Sequence, residues 1–262
     1  LAIDDAYRSW HRKRFGVDAN PDTHCVPVER AFQGHPEAGA LWERMIVGIL
    51  EGDELGFVST THERNLYRGT IDDALVLVCR QVDDFAIATA SPDTAEKLIA
   101  IINKHATTTS KGIGVKDEQG IGLRYNGIDI HQTRDYTKLS CETYIERVLQ
   151  THGWEKPTAN ESDRFDAVPL PVDSVETLLK ETGPSEGSKE HRELEEKVGF
   201  GYRTLLGELM YAFVVCRLDI GFAVTLLARF STCPSRSHYM ALKSVTRYLR
   251  RTKDWGLIYW RK

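Results

Sequence analysis

Two adjacent carboxylates, Asp83 and Asp84, are the residues of this sequence best suited to do chemistry. The chain has three Asp-Asp pairs, and about one is expected by chance from its Asp content, so a pair alone is weak evidence. The pair at 83–84 differs from those at 4–5 and 72–73 because apolar and β-branched residues flank it on both sides, over residues 74–90. This pattern predicts two short strands joined tightly at Asp83-Asp84. The other pairs fit a helix start and a turn.

Two like charges at a hairpin tip repel each other, and a divalent cation relieves that repulsion. In phosphoryl transfer, two Mg²⁺ ions roughly 3.5–4 Å apart activate the attacking hydroxyl and stabilise the leaving oxygen. Because side chains alternate across a strand, Asp83 and Asp84 reach one cleft together only if the turn redirects one of them. We therefore expect a third carboxylate from a neighbouring strand. Mn²⁺ would suit the same ligands.

A second candidate is the segment Gln33-Gly34-His35-Pro36, which precedes a helical pattern. Glycine before a helix lets the backbone approach a ligand closely, and a helix N-terminus favours phosphate. On local evidence alone, an ordinary junction between a loop and a helix is the favoured interpretation of these residues.

The third candidate is a basic stripe near the end of the chain. Lys243, Arg247, Arg250 and Arg251 recur at helical spacing, whereas apolar residues occupy another face of the same helix. Such a stripe suits the phosphate backbone of a nucleic acid. The alternative is a solvated amphipathic helix.

Net charge is unevenly distributed along the 262 residues. The chain carries −4 overall, but residues 1–154 and 155–200 each carry −6 and residues 201–262 carry +8. A basic C-terminal part behind an acidic middle indicates a polyanionic partner. The length fits one large domain or two small ones.

The five cysteines are scattered without metal-ligand spacing, which indicates free thiols in a reducing compartment. No apolar run approaches the ~20 residues of a membrane-spanning helix, and the N-terminus lacks the features of a secretory signal. We expect an intracellular protein, in a cytoplasmic particle or the nucleus, without a membrane partner. The chain begins without Met, which is typical of a fragment or a processed product.

The periodicity predicts a mixed chain. We expect helices near residues 3–15, 37–51, 92–105 and 142–152, and strand pairs over 74–90 and 123–141. The pattern fades after Trp154, which indicates a mobile linker or surface loop at roughly 155–190. Three helices and a closing strand should follow from Tyr202. We therefore divide the chain into 1–154, an acidic linker or loop at 155–200, and a helical part at 201–262.

These features, in this order, resemble the reverse transcriptase region of copia-type retrotransposon polyproteins. The matching segments are AFQGHPEAGALWER, RQVDDFAIA, RYNGIDI, YRTLLGELMY, RLDIGFAVTLLARF and HYMALKSVTRYLRRTKDWGLIY. The last two are the most specific, because they are long and free of gaps. The QGHP and QVDD spellings are uncommon and indicate a divergent branch.

The resemblance implies an α+β fold, an incomplete right-hand polymerase with a split βαβ palm and a helical thumb. It implies that Asp83 and Asp84 are catalytic Mg²⁺ ligands of an RNA-directed DNA polymerase, which uses an RNA template, a DNA primer and deoxynucleotides. Gln33 and Gly34 would contact template and nucleotide. Gln81 and Val82 precede the pair where many relatives have Tyr. An RNase H domain and an integrase would belong to the parent polyprotein.

The resemblance also implies a first catalytic Asp, on a strand that precedes the QG segment by several tens of residues. Only 32 residues precede Gln33, and none resembles that strand. We therefore expect the strand upstream of Leu1 and a fragment that is inactive alone. Two alternatives stay open: an inactive remnant that at most binds nucleic acid, and an unrelated metal-dependent nuclease.

Overall fold

The computed structural model describes residues 5–20, 22, 34–112, 121–157 and 168–261. Within these ranges the chain is α+β, as predicted, with nine α-helices and two four-stranded antiparallel sheets. The helices are α1 Asp5–Phe15, α2 Ala38–Glu51, α3 Pro92–Asn103, α4 Glu142–His152, α5 Val172–Lys180, α6 Lys189–Val198, α7 Tyr202–Val215, α8 Gly221–Ala228 and α9 Arg236–Arg251. The strands are β1 Val58–Ser59, β2 Leu66–Ile71, β3 Ala74–Gln81, β4 Asp84–Thr89, β5 Ile121–Tyr125, β6 Ile128–Gln132, β7 Tyr136–Ser140 and β8 Gly256–Trp260.

The first sheet, in the order β1-β2-β3-β4, packs one face against α2 and α3. Alternation along β3 buries Val76, Val78 and Arg80, which face the helices. The sequence Ser91-Pro92-Asp93 predicts that Ser91 is the N-cap of α3, and in the structure its hydroxyl accepts a hydrogen bond from the Asp93 amide. The opposite face of the sheet is left uncovered by these helices.

The periodicity of α2 predicts one apolar face formed by Leu41, Met45 and Ile49 with the flanking Trp42 and Ile46, and the structure buries only part of it. Leu41 and Met45 are each 40% exposed. Ile46 and Leu50 are fully buried instead, with Trp42 packed beside them. The apolar stripe of this helix is wide, so periodicity alone does not determine which of its residues face the core.

The second sheet, in the order β5-β6-β7-β8, is built from two distant parts of the chain. Strands β5, β6 and β7 follow one another, and Asn126-Gly127 forms a tight turn with both φ angles positive. Strand β8 then pairs with β7 from Tyr136↔Trp260 to Ser140↔Gly256. In sequence, helices α4 to α9 therefore come between β7 and β8, which are neighbouring strands of this sheet.

These helices enclose the larger core, which includes residues from α4, α5, α7, α8 and α9. Within it, His238 of α9 donates its Nε2–H to the Leu178 carbonyl of α5 at 2.9 Å, and its Nδ1 accepts from the Ser235 amide at 2.8 Å. None of the helices in the described ranges is both long and apolar enough to cross a bilayer.

The interpretation of 155–190 as a mobile linker or surface loop is wrong for the described part of that segment. It contains α5 and the start of α6, and Leu178 and His191 are buried. Glu195 of α6 accepts hydrogen bonds from the Tyr202 amide and the Tyr239 hydroxyl. These hydrogen bonds tie α6 to α7 and α9, and apolar residues of α5 and α6, namely Val175, Leu178, Leu194 and Val198, pack into the helical core.

Candidate metal and nucleic-acid site

The two candidate carboxylates lie at the β3–β4 hairpin. The last pair of the ladder is Gln81↔Asp84, so Val82 and Asp83 form the two-residue turn and Asp84 begins β4. The turn therefore lies one residue earlier than predicted. Asp83 is exposed at the tip, whereas Asp84 is half-buried.

The backbone of the turn is held from the side of α2. Val82, a β-branched residue, has a φ of 56°, which is an unfavourable conformation that surrounding contacts must maintain. Its carbonyl accepts a hydrogen bond from the Trp42 indole N–H at 2.8 Å and a longer one from Arg80 Nη1 at 3.4 Å. Helix α2 thus fixes the position of the peptide that precedes Asp83.

Arg80 connects this turn to two further elements. The residue is only 4% exposed, and its Nη2 donates to Glu43 of α2 at 2.6 Å and to Asn65 at 2.7 Å. Burial of an arginine is costly unless it is paired and hydrogen-bonded, which indicates a structural role. Sequence reasoning missed Trp42, Arg80, Glu43 and Asn65 as support for the hairpin. The signal available was an Arg in the middle of an apolar strand.

Asp84 points to the face of the first sheet opposite the α2–α3 core. Phe85 and Ile87 pack into that core, so Asp84 and Ala86 alternate to the other side. There the Asp84 carboxylate lies 3.3 Å from Lys111 Nζ, and its side chain keeps 45% exposure. The carboxylate is therefore accessible, and a flexible ammonium is its only ion-pair partner within the described residues.

Tyr125 of β5 covers the same face beside Asp84. Its hydroxyl donates to the Cys79 carbonyl at 3.3 Å. Burial raises the pKa of Tyr125, and the hydrogen-bonding Cys79 and the nearby Asp84 carboxylate raise it further. The phenol therefore stays neutral at physiological pH and serves as a hydrogen-bond donor.

The described residues do not form a complete metal site. Carboxylate oxygens are the ligands that Mg²⁺ prefers, and Asp83 and Asp84 are adjacent. Among the described residues, however, no group of three His, Cys, Asp or Glu side chains is arranged to hold a metal ion. In the same part of the chain, β4 is an edge strand of the first sheet and pairs only with β3.

The other residues predicted beside the pair are only partly located. Gln33 lies outside the described residues. Gly34 is exposed with a φ of 91°, and α2 begins at Ala38, so Pro36 precedes the helix rather than starting it. Gln81 and Val82 are exposed at the hairpin.

The basic stripe lies on α9, which is a helix of the larger core and does not belong to the first sheet. Lys243, Arg247, Arg250 and Arg251 are all half-buried. Lys243 Nζ lies 5.2 Å from the centre of the Trp154 ring, and Arg250 donates to the Trp154 carbonyl at 3.1 Å. The chain that follows α4 therefore packs along this stripe, which is less accessible than a solvated helix face.

A buried polar network connects the two sequence segments RLDI, residues 217–220, and RYLRRT, residues 247–252. Arg217 is 1% exposed and donates to both carboxylate oxygens of Asp219, at 2.9 and 2.7 Å, and to the carbonyl and hydroxyl of Thr252, at 2.8 and 2.6 Å. Tyr248 donates to Asp219 at 2.8 Å. Burial raises the pKa of Asp219, but the hydrogen bonds from Arg217 and Tyr248 outweigh it and lower that pKa below its usual value. These residues join α8 to α9.

The chain is distantly similar to proteins of retrotransposons. It is 26% identical over 247 residues to a putative transposon Ty5-1 protein of Saccharomyces cerevisiae, covering 94% of this chain and 70% of that protein. It is 24% identical over 256 residues to the retrovirus-related Pol polyprotein from transposon RE1 of Arabidopsis thaliana, covering 97% of this chain and 15% of the polyprotein. It is 32% identical over 157 residues to the Pol polyprotein from transposon TNT 1-94 of Nicotiana tabacum, covering 58% of this chain and 11% of the polyprotein.

The similarity to Pol polyproteins covers 97% of this chain for the RE1 polyprotein and 58% for the TNT 1-94 polyprotein, and in both cases it spans a small share of the polyprotein. No protein family model matches the chain, and no solved structure matches it.

Proposed function

We propose that this chain is a reverse transcriptase region of a retrotransposon Pol polyprotein, an RNA-directed DNA polymerase in which Asp83 and Asp84 bind Mg²⁺. The observation that carries the proposal is the β3–β4 turn. Two adjacent carboxylates follow a strained Val82 peptide, which Trp42 and Arg80 hold by hydrogen bonds. A turn fixed in this way places charged groups where a metal-bound substrate can meet them. The similarity to Pol polyproteins supports the same conclusion.

Bound Mg²⁺ would lower the pKa of the primer hydroxyl and neutralise charge on the triphosphate. The residues of this chain have three tasks in that scheme. Asp84, half-exposed on the open face of the sheet, and Asp83, at the tip, supply carboxylate oxygens. Lys111 balances the charge of Asp84 when no metal is bound, and its exposed side chain can move away. Tyr125 limits the approach of water to the inner side of Asp84.

A third carboxylate must come from outside the described residues. We propose that an additional strand pairs with the open edge of β4 and supplies it. A strand in that position lies about 4.8 Å from β4, which is close enough for its side chains to share a metal with Asp84. This strand would belong to the longer polyprotein.

Contacts with template, primer and nucleotide are assigned to two surfaces. Gln33, Gly34, Gln81 and Val82 would contact the template and the incoming deoxynucleotide beside the carboxylates. The α9 stripe would contact the phosphate backbone after the Trp154 segment moves, through Lys243, Arg247, Arg250 and Arg251. The RNase H domain and integrase are proposed as further parts of the parent polyprotein.

Primer extension on an RNA template tests the polymerase proposal. The chain is assayed with Mg²⁺ and deoxynucleotides, alone and as part of a longer polypeptide that includes the parent protein's preceding residues. Asp83→Asn with Asp84→Asn should abolish extension. The matched control is Asp72→Asn with Asp73→Asn, because that pair also occupies a hairpin turn and both φ angles are positive, a conformation that Asn tolerates.

Extension by the longer polypeptide that depends on Asp83 and Asp84, and not on the control pair, supports the proposal. Extension by the chain alone would show that its own undescribed residues supply the third carboxylate. If the longer polypeptide does not extend a primer, the polymerase proposal is wrong.

The second candidate is an inactive remnant that binds nucleic acid. It is favoured by one observation, the lack of a third carboxylate near Asp83 and Asp84 among the described residues. It predicts salt-dependent binding of a primer–template without nucleotide incorporation, even in the longer polypeptide.

A further inference from the structure

The outer face of the second sheet carries a row of aromatic rings from three strands. Tyr136 of β7 is paired with Trp260 of β8, and their ring centres are 5.5 Å apart. His131 of β6 lies on the other side, 6.1 Å from Tyr136. Residues paired across antiparallel strands point to the same face, so Lys138, which pairs with both His131 and Ile258, shares this face. We call His131, Tyr136 and Trp260 the aromatic row.

On this face Trp260 is exposed, whereas His131, Tyr136 and Lys138 are half-buried. The alternating residues Ile128 and Leu139 pack against the helical core, whereas none of the three rings belongs to either core cluster. Trp260 is 71% exposed. Gly122 is paired with His131, and a side chain at that position would meet no atom of the described residues within 4 Å.

The surroundings of the row are positively charged. Lys138 lies within it, Arg134 lies in the β6–β7 turn, and Arg261 follows Trp260. None of these three side chains forms an ion pair with any residue in the described ranges. Of the two carboxylates on these strands and turns, Asp129 is paired with Arg124 at 3.0 Å, and Asp135 is exposed beside Arg134. Cations therefore outnumber free carboxylates along the row.

We propose that the aromatic row binds single-stranded nucleic acid, with bases stacked on Tyr136 and Trp260 and the phosphate backbone along Lys138. Every base has a flat π-face, and exposed aromatic rings on a sheet offer a stacking surface that tolerates any sequence. A protein partner would require a continuous apolar surface. The cations interspersed here match a phosphodiester chain better. The aromatic row is separate from the Asp83–Asp84 turn. This proposal rests on the proposed polymerase function only for which nucleic acid, the template or the primer, would be bound.

The test uses the full chain and two fluorescein-labelled probes of about 12 nucleotides, oligo(dT) and oligo(U), within the site sizes of single-strand binders. Binding is followed by fluorescence anisotropy without Mg²⁺ or nucleotides. Loss of one stacked base should weaken binding roughly 5- to 150-fold in Trp260→Ala and in Tyr136→Ala. Trp260→Phe should retain most of the affinity, because it keeps an aromatic face.

Two further variants separate stacking from charge and from general effects. Lys138→Ala should weaken binding and lower the slope of log affinity against log salt by about 0.7. Trp255→Ala is the matched control, since Trp255 is also an exposed tryptophan beside β8 but contacts Tyr248 instead of the row. It should bind both probes as the original chain does.

Binding of either probe with the expected losses supports the proposal. Three results would overturn it: no binding of either probe by the original chain, affinities of folded Trp260→Ala and Tyr136→Ala within about twofold of it, or equal losses in Trp260→Phe and Trp260→Ala. Circular dichroism and thermal unfolding establish that each variant is folded. Because the probes are bound without Mg²⁺ or nucleotides, the result does not depend on polymerase activity, and a failure of the polymerase proposal is distinguishable from a failure of this one.

Discussion

Replacement of Arg217 by Met should destabilise the helical core strongly without changing its volume much. The arginine is almost fully buried and makes four hydrogen bonds, two to Asp219 and two to Thr252. Met fills the space of the aliphatic stem but donates no hydrogen bond. The variant therefore removes the arginine donors from the Asp219 carboxylate and from the hydroxyl and carbonyl of Thr252, and the carbonyl keeps only the Trp255 amide.

The magnitude follows from the burial of the two partners. Removing one member of a buried ion pair costs about 3–5 kcal/mol, because the other charge stays buried without compensation. The Asp219 side chain keeps 32% exposure, so water can hydrate part of it. Tyr248 also continues to donate to it. We therefore expect Arg217→Met to lower the free energy of unfolding by about 2–4 kcal/mol.

Urea unfolding followed by circular dichroism measures this change. The control is Arg203→Met, because Arg203 forms an ion pair with Glu186 on the surface, where both side chains are more than 40% exposed. That variant should cost less than about 1 kcal/mol. A loss below about 1 kcal/mol in Arg217→Met would refute the reasoning, since it would mean that the network adds no more than a surface pair.

The same network makes the free energy of unfolding depend on pH. The pKa of Asp219 is lower in the folded chain than in the unfolded chain. Its contribution to stability is therefore present above the unfolded pKa of about 3.9 and is lost as the pH falls through the folded value. In Asp219→Asn, the free energy of unfolding should depend less on pH below about 4 than in the original chain.

Three further perturbations test other contacts. Trp42→Phe keeps the ring but removes the N–H that donates to Val82, so the free energy of unfolding should fall by about 1 kcal/mol in urea unfolding, and an unchanged value would contradict the contact. Burial lowers the pKa of His238, so its contribution to stability is full above the unfolded pKa of about 6.5 and declines below it. His238→Gln should flatten that decline in urea titrations between pH 5 and 7. Lys111→Ala removes the cation beside Asp84, so Mn²⁺ binding measured by electron paramagnetic resonance should tighten by up to about fivefold, and weaker binding would count against a metal at Asp84.

Much of the first sheet was predictable because its signals are local. Apolar runs on both sides of a polar pair predicted β3 and β4, and Ser91-Pro92 predicted the start of α3. The turn was misplaced by one residue. A β-branched Val82 at positive φ is unfavourable, so the sequence favoured Asp83-Asp84 as the turn. The donor of the shorter hydrogen bond to the Val82 carbonyl, Trp42, lies 40 residues away in α2 and could not be identified from the local sequence.

The acidic segment before α7 was mispredicted for a related reason. Helix α6 contains little apolar surface, and its sequence has the composition of a solvated loop. Its position depends on Glu195 accepting hydrogen bonds from Tyr202 and Tyr239, which belong to other helices. Hydrogen bonds of this kind leave no periodic pattern in the sequence from which a helix could be predicted. The candidate site shows the same limit, because an Asp pair can be recognised in a sequence whereas Arg80 in the core cannot.

The pairing of β7 with β8 has a consequence for how the chain folds. Ser140 and Gly256 lie opposite each other, although about 115 residues separate them in sequence. Closing so long a loop costs conformational entropy before the pairing contributes any stability, and contacts of this separation slow folding. Helices α4 to α9 pack mainly against one another and can form first. Strand β8 then joins last, so the sheet that bears the aromatic row should be completed only after the helical core has formed.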